Sequence, residues 1–207
     1  MGNTSNKNLY AMIKETSGFD YEKAIIDVDN SRLSHREFIQ DTKTISSALR
    51  NIGVLPGQKV GMIMNNSTLW FKVYWSIVKI GGHPVPLDPQ IGEWEMERLL
   101  TLADIEICFI NNSYRANNIL SSIQNARACV PNLKHVISVD NEKSQGEIIS
   151  FEQFIRIYKR DDDFIYTPNE LDTLMLACTS GSTGNPKVIA VPHIGFYQSQ
   201  KDMAAYL

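Results

Sequence analysis

One short stretch holds most of the residues in this chain that could do chemistry. Residues 178–188 read CTSGSTGNPKV, so hydroxyl side chains and glycines follow one another before a single lysine. Glycines let backbone N–H groups approach a ligand closely, hydroxyls donate further hydrogen bonds, and Lys187 adds a positive charge. An anion that carries several oxygens, such as a polyphosphate, best satisfies this set of donors.

Two other interpretations of the stretch stay open at the level of residue types. Clusters of Ser, Thr and Gly are mostly plain surface turns, and Asn185–Pro186 marks a turn. The P-loop of nucleoside triphosphatases, G-x-x-x-x-G-K-[ST], can be counted from Gly181, but it then requires Gly at Pro186 and Ser or Thr at Val188. These two mismatches disfavour the triphosphatase. The length of the stretch and its Pro-Lys end favour phosphate binding over a plain turn.

The segments around the stretch predict how it is held. TLMLA before it and VIAV after it both have the composition of strands, so the stretch is expected to join two strands. Further strands are predicted at 59–64, 83–87, 105–110 and 135–139, and helices at 34–53, 69–80, 93–102, 116–127 and 151–160. Strands that alternate with helices bury a parallel sheet between helical layers. The predicted fold class is therefore α/β, a doubly wound, mostly parallel sheet flanked by helices.

Local signals add two expectations about the ends of these elements. Ser34 with Glu37 matches a capping box, and Gly53 is a candidate C-cap, so the first of these helices has defined ends. The acidic run at residues 161–163 follows the last of these helices and is predicted to be a solvated loop.

Composition excludes several classes of function. The 207 residues carry a formal net charge of −3, so the chain lacks the basic field that binding to nucleic acid or anionic membrane requires. Its most apolar helical segment is interrupted by Lys72 and Lys79 and is shorter than the roughly 20 residues of a membrane span. Without an export signal at the N-terminus, a cytoplasmic location is expected.

The three cysteines, Cys108, Cys129 and Cys178, are odd in number and widely spaced, so we expect buried thiols and neither a disulfide framework nor a metal cluster.

The stretch also resembles the phosphate loop of a known superfamily. The motif T-S-G-[ST]-T-G-x-P-K is the signature of the adenylate-forming enzymes, which include acyl-CoA synthetases, nonribosomal peptide synthetase adenylation domains and luciferases. In this chain, Thr179–Gly184 and Pro186–Lys187 match each fixed position of the motif. Weaker matches occur in the family's order at LSHREF (33–38), NIGVLPGQKVGMIM (51–64) and VKIGGHPVPLDP (78–89). The chain is thus identified as a member, with residues 1–207 forming the N-terminal portion of an AMP-binding domain.

The sequence departs from the family pattern beside the loop. Cys178 stands where an aromatic residue is common, Val188 stands where Gly is frequent, and PHIGF replaces the usual [ST]-H-x-x-[LI]. These changes leave the donors of the loop intact. Val188 is expected to alter the mobility of the loop, because Val cannot take the backbone conformations open to Gly.

The resemblance implies a two-step reaction. A carboxylate attacks the α-phosphate of Mg-ATP to give an acyl-adenylate and pyrophosphate, and the thiol of CoA or of a carrier protein's phosphopantetheine then takes the acyl group. The carboxylic acid or amino acid that is activated stays open. The residues expected to bind the nucleotide are Thr179, Ser180, Gly181, Ser182, Thr183, Gly184 and Lys187. Lys187 either contacts phosphate or braces the loop, and both roles stay open.

The resemblance implies less about other residues. His193 matches a family histidine that often lies beside the acyl or nucleotide pocket, so it is expected to bind substrate, with a packed histidine as the alternative. His35, His83 and His135 are expected to be structural. Relatives continue far beyond position 207, where they carry the adenine contacts, a magnesium-binding acid and a catalytic lysine. No catalytic or metal-binding residue is therefore assigned in this chain. The chain alone is not expected to catalyse the reaction. A non-catalytic interaction or nucleotide-binding module that keeps the fold is the alternative function.

Overall fold

The computed structural model describes residues 9–10, 13, 25–26, 32–141, 146–179 and 185–204. The strands of these ranges are β1 (Ile25–Ile26), β2 (Arg32–Leu33), β3 (Lys59–Ile63), β4 (His83–Pro86), β5 (Ile107–Ile110), β6 (His135–Ser138), β7 (Ile148–Ser150), β8 (Thr173–Thr179) and β9 (Lys187–Pro192). The helices are α1 (His35–Ile52), α2 (Thr68–Lys79), α3 (Glu93–Leu102), α4 (Ile119–Ala126), α5 (Phe151–Tyr158) and α6 (His193–Ala204).

Five parallel strands form the central sheet, in the spatial order β4-β3-β5-β6-β7. Successive side chains of a strand point to opposite faces, and β5 shows this alternation: Ile107 and Phe109 join one buried cluster, whereas Cys108 and Ile110 join the other. Helices α1, α2 and α5 cover the first cluster, and α3 and α4 cover the second. The sheet is therefore flanked by helices on both faces, which confirms the predicted doubly wound α/β fold.

The ends of α1 agree with the predicted signals. The Ser34 hydroxyl oxygen accepts a hydrogen bond from the Glu37 backbone N–H at 3.2 Å, and the Ser34 backbone N–H donates to a Glu37 carboxylate oxygen at 2.8 Å. This reciprocal pair is the capping box. At the other end, Gly53 has a φ of 114° in the left-handed region, which glycine adopts with little strain.

Helix α4 begins later than predicted. The expected start was residue 116, but Tyr114 and Asn117 exchange backbone hydrogen bonds of 2.9 Å in a tight turn. The side chain of Asn118 then accepts a hydrogen bond from the Ser121 backbone N–H at 3.0 Å and caps the helix. Asparagine competes well for such cap positions, so the helix starts at residue 119.

The acidic run is bound more tightly than predicted. Each carboxylate forms an ion pair with a cation on α1 or α2: Asp161 with Lys43, Asp162 with Arg50 and Asp163 with Lys79. The side chains of Asp161 and Asp163 are 95% and 45% exposed, so the loop keeps the expected solvated character although its three carboxylates are paired. We call residues 161–166 the strap, because they run across α1 and α2 before the chain enters β8.

Lys79 is the buried anchor of the strap. Its side chain has no exposed surface, and its ammonium donates to the Ser46 hydroxyl at 3.0 Å and to the Phe164 carbonyl at 2.9 Å, in addition to its 3.2 Å ion pair with Asp163. The Tyr166 backbone N–H donates to the Lys79 carbonyl at 2.8 Å. A buried ammonium needs such partners, because water is not there to solvate it.

The prediction of three buried thiols was wrong for one cysteine. Cys108 is buried and Cys178 is half-buried, but Cys129 is exposed. Cys129 follows α4 between the buried residues Ala126 and Val130, which occupy the inward face of this segment and leave its side chain on the outside. Among the described helices, none is both long and apolar enough to cross a bilayer.

Candidate functional site

The predicted phosphate-binding stretch lies at the tip of a β-hairpin. Strands β8 and β9 pair antiparallel, as the flanking compositions predicted, although β8 runs two residues further than expected. Thr179 lies directly opposite Lys187 in the register, and both side chains are exposed. Ser180–Gly184 lie outside the described residues, so the structure places the two ends of the loop and not its middle.

A cleft at the base of this loop shows at which edge of the central sheet the hairpin ends. The cleft has a volume of about 430 Å³ and is lined by residues 86–88 after β4, by the start of α3 and by Cys178 and Thr179 of β8. At the other end of the same strands, His83 of β4 and residues 172–173 at the start of β8 line a second cleft. Strands β4 and β8 therefore run in the same direction. The loop leaves from the carboxyl edge of the sheet, where open α/β sheets bind their ligands.

Carboxylates mark one wall of the cleft beside the loop. Asp88 and Glu95 both line it, and a carboxylate oxygen of Asp88 accepts a hydrogen bond from the Gln90 backbone N–H at 2.8 Å. These negative charges disfavour a phosphate in the cleft itself. Thr179 lines this cleft as well, and Lys187 lies opposite it in the ladder. Sequence reasoning missed the cleft, since only the position of the loop at a carboxyl edge could have indicated it.

The described residues offer no metal centre. Within the ranges that the structure describes, no group of three or more His, Cys, Asp or Glu side chains is placed to hold a metal ion. Among the loop residues predicted to bind nucleotide, the structure describes Thr179 and Lys187.

His193 lies far from the base of the loop. It is six positions from Lys187 along β9, which corresponds to about 20 Å at a strand's usual rise of roughly 3.3 Å per residue. It lines the second cleft, of about 260 Å³, together with His83, Tyr166 and Asp172. The structure therefore does not bring His193 together with Thr179 and Lys187, and its substrate-binding role stays a prediction.

The surroundings of His193 are those of a buried residue. Its side chain is 7% exposed, and its Nδ1 has no hydrogen-bond partner among the described residues. Its backbone N–H donates to the Asp172 carbonyl at 3.0 Å at the start of α6. Burial lowers the pKa of His193, the Asp172 carboxylate opposes this effect, and His83 adds to it. Burial and the charge of Lys59 also lower the pKa of His83. Neutral imidazoles are thus favoured in this cleft.

Comparison with known proteins identifies the family. The family model described as AMP-binding enzyme matches residues 16–206, which is nearly the whole chain. The chain belongs to this family of AMP-binding enzymes. This AMP-binding chain is 26% identical over 190 residues to tyrocidine synthase 3 of Brevibacillus parabrevis, covering 92% of the chain and 3% of that protein. It is also 26% identical over 164 residues to the probable CoA ligase CCL6 of Humulus lupulus, covering 75% of the chain and 24% of that ligase.

Solved structures agree on the fold. The crystal structure of the anthranilate CoA ligase AuaEII in complex with anthranoyl-AMP superimposes with a TM-score of 0.82 at 22% identity, covering 92% of the AMP-binding chain and 36% of the ligase. At that identity the likeness concerns the fold. The AMP-binding chain thus spans about a third of this ligase and less of the two curated relatives. The family resemblance inferred from the loop and the three weaker motifs is confirmed.

Proposed function

We propose that this AMP-binding chain takes part in the ATP-dependent activation of a carboxylic acid. An acyl-adenylate forms with release of pyrophosphate, and the acyl group then passes to a thiol. The observation that carries the proposal is the pairing of Thr179 with Lys187 at the carboxyl edge, at the two ends of a segment with the sequence of the family's phosphate loop. Family membership supports the class of reaction.

The task of the loop is to hold the β- and γ-phosphates, which leave as pyrophosphate. Catalysis of this type depends mainly on positioning and on neutralising the charge of the phosphates. In the proposal, the loop contributes hydroxyls and backbone amides to the phosphate oxygens: the hydroxyls of Thr179, Ser180, Ser182 and Thr183 and the amides around Gly181 and Gly184. Such donors cost no reorganisation when they are fixed before the nucleotide binds.

Lys187 has two proposed roles, and its position supports one of them. A lysine that braces a loop packs its stem against the protein, whereas a lysine that binds phosphate needs its ammonium accessible. The exposed side chain of Lys187 at the first position of β9 supports the phosphate contact. A charge-assisted hydrogen bond to phosphate is stronger than one between neutral groups.

Magnesium and the remaining substrates are proposed from the family resemblance. The magnesium ion would accompany ATP, and no described residue is assigned to it. The relatives include both a synthase and a probable CoA ligase, so CoA and a carrier protein's phosphopantetheine are both proposed acceptors. For His193, the burial and the distance from the loop favour packing at the start of α6 over contact with the acid.

The proposal is tested on the purified 207-residue chain. We expect it to bind Mg-ATP in equilibrium dialysis, because the loop holds the triphosphate. We expect no ATP–pyrophosphate exchange with any carboxylic acid, because the chain is proposed to supply only the N-terminal portion of the activity. Absence of ATP binding would contradict the phosphate role and leave the non-catalytic module. Exchange at the rate of longer relatives would contradict the partial activity, and orthophosphate release without any acid would indicate a triphosphatase.

A further inference from the structure

The second cleft contains a buried imidazole whose hydrogen bonds are incomplete. The side chain of His193 is 7% exposed, and its Nδ1 lacks a hydrogen-bond partner within the ranges that the structure describes. Proteins pair nearly all buried polar atoms with their own groups, with water or with a ligand, because an unpaired one is unfavourable. The ring of His193 lines an open volume of about 260 Å³. This cleft is therefore a candidate binding site, and its polar groups define what it can bind.

The backbone donors around the cleft are already in use. The N–H groups of five of its residues donate to backbone carbonyls at 2.7–3.0 Å: Gly57, Gly81, Gly82, His83 and His193. Anion sites built from backbone need N–H groups that point at the ligand. The cleft therefore does not suit an anion.

The side chains of the cleft offer acceptors and a negative charge. One carboxylate oxygen of Asp172, Oδ2, accepts from the Asn169 backbone N–H at 2.8 Å, whereas no described residue donates to Oδ1. Burial favours neutral imidazoles at His83 and His193, and each neutral imidazole has one acceptor nitrogen. Lys59, whose charge lowers the pKa of His83, lines a different cleft. A matching ligand therefore supplies donors and a positive charge.

We propose that the second cleft binds a small organic ammonium ion, which donates to the Asp172 carboxylate and to the imidazole of His193. The ligand is small because the cleft lies below the roughly 300–1,000 Å³ of pockets for drug-sized molecules. Tyr166 of the strap contributes its side chain to the wall, and the face of an aromatic ring attracts cations. The site lies at the amino edge of the sheet, away from the phosphate loop, and does not rest on the proposed function.

The four histidines of the chain allow a direct test by NMR. The 207-residue chain with ¹³C-labelled histidine is titrated with n-propylammonium chloride at constant ionic strength. We expect saturable shifts of the His83 and His193 resonances, with half-saturation at roughly 1–10 mM because so small a ligand makes few contacts. His35 and His135 should not shift, since His35 Nε2 contacts the Ile13 carbonyl at 2.9 Å and His135 lines another cleft. Shifts without saturation, or equal shifts of all four histidines, would overturn the proposal.

A neutral compound of the same shape tests the need for charge. The molecule n-propanol has a hydroxyl in place of the ammonium, so it loses the attraction of the Asp172 carboxylate. We expect n-propanol to bind at least about tenfold more weakly, since hydrogen bonds to charged groups are the stronger ones. Equal affinities for the two compounds would show that the cleft does not select a cation.

A pair of substitutions tests the role of the Asp172 carboxylate. Asp172→Asn removes the charge but keeps an oxygen that accepts from Asn169, so the turn is preserved. This variant should bind n-propylammonium at least about tenfold more weakly. Glu170→Gln is the matched control, because Glu170 is exposed and only its backbone carbonyl contacts α6, at Ile194. The control should stay within about twofold of the unaltered chain. Equal losses in both variants, or no loss in Asp172→Asn, would refute the site.

The pH dependence of binding gives an independent check. The groups that face the two imidazoles are the Asp172 carboxylate, the Tyr166 side chain and, for His83, the Lys59 ammonium. Protonation of either imidazole replaces its acceptor nitrogen with a donor and adds a positive charge beside the ammonium. Because both pKa values lie below 6.5, the affinity should be greatest near pH 7.5 and fall towards about pH 5. An affinity that rises on acidification would indicate an anion site instead and would overturn the assignment.

Discussion

The two ends of strand β8 hold their polar groups in different ways. At the amino end, the strap ties its carboxylates to cations on α1 and α2, and Lys79 is buried among three partners. At the carboxyl end, Thr179 and Lys187 are exposed beside a cleft of about 430 Å³. Polar groups that the protein itself satisfies stabilise the fold, whereas exposed donors at a carboxyl edge are available to a ligand. Substitutions at the amino end should therefore change stability, and those at the carboxyl end should change nucleotide binding.

The largest effect on stability is expected from Asp163→Asn. Removing this carboxylate deletes its 3.2 Å ion pair with the buried ammonium of Lys79, and breaking a buried pair in this way costs about 3–5 kcal/mol. Because the side chain of Asp163 is 45% exposed, we expect a somewhat smaller loss of about 2–3 kcal/mol in the free energy of unfolding. Urea denaturation measures it.

The matched control for this substitution is Asp161→Asn on the same strap. Asp161 pairs with Lys43 at the surface, where solvent screens the attraction, so the unfolding midpoint should not shift measurably. Equal losses in the two variants would show that burial of Lys79 does not distinguish the two ion pairs. Neither variant should alter the affinity for ATP. A large loss of ATP affinity in the folded Asp163→Asn protein would contradict the assignment of stability to the amino end of β8 and of binding to its carboxyl end.

A smaller effect is expected from pH at the second cleft. The pKa of His193 in the folded chain lies below its ordinary value of 6.5, mainly because the imidazole is buried. The unfolded chain therefore binds more protons, so the stability contributed by neutral His193 is fully present above pH 6.5 and is lost as the pH falls through the folded pKa. The free energy of unfolding should decrease between about pH 7.5 and about pH 5.5.

His193→Gln tests the source of this pH dependence. The variant has no titrating group at this position, so its free energy of unfolding should decrease less over the same pH range. The remaining slope includes His83, whose pKa burial lowers as well. An unchanged slope in the variant would contradict the assignment to His193.

Much of the fold could be predicted from the sequence, because it depends on local patterns. The apolar run of β5 and the caps of α1 are signals within a few residues, and both agree with the structure. Strand β7 was missed, since its three residues beside a charged loop carry too little pattern. The ion pair between Lys43 and Asp161 joins residues 118 positions apart, and no local pattern indicates such a contact.

In the candidate site, too, local features could be predicted from the sequence and contacts between distant segments could not. The sequence of the loop identified its family and predicts a polyphosphate ligand, because glycines, hydroxyls and a lysine in fixed order are a local signal. The acidic wall formed by Asp88 and Glu95, and its place beside Thr179, depend on how distant segments pack. These features became visible only when the sheet, α3 and the hairpin were placed together.

A comparison of the affinities for ATP and AMP isolates what the loop contributes to nucleotide binding. The unaltered chain should bind Mg-ATP more tightly than AMP, because the loop is proposed to hold the β- and γ-phosphates, which AMP lacks. Ser182→Ala combined with Lys187→Ala should weaken ATP binding about 100-fold or more, since each of the two charge-assisted hydrogen bonds contributes roughly 1.5–3 kcal/mol, and should leave AMP binding nearly unchanged. Equal affinities for ATP and AMP in the unaltered chain, or an ATP affinity that the double substitution does not change, would contradict the account.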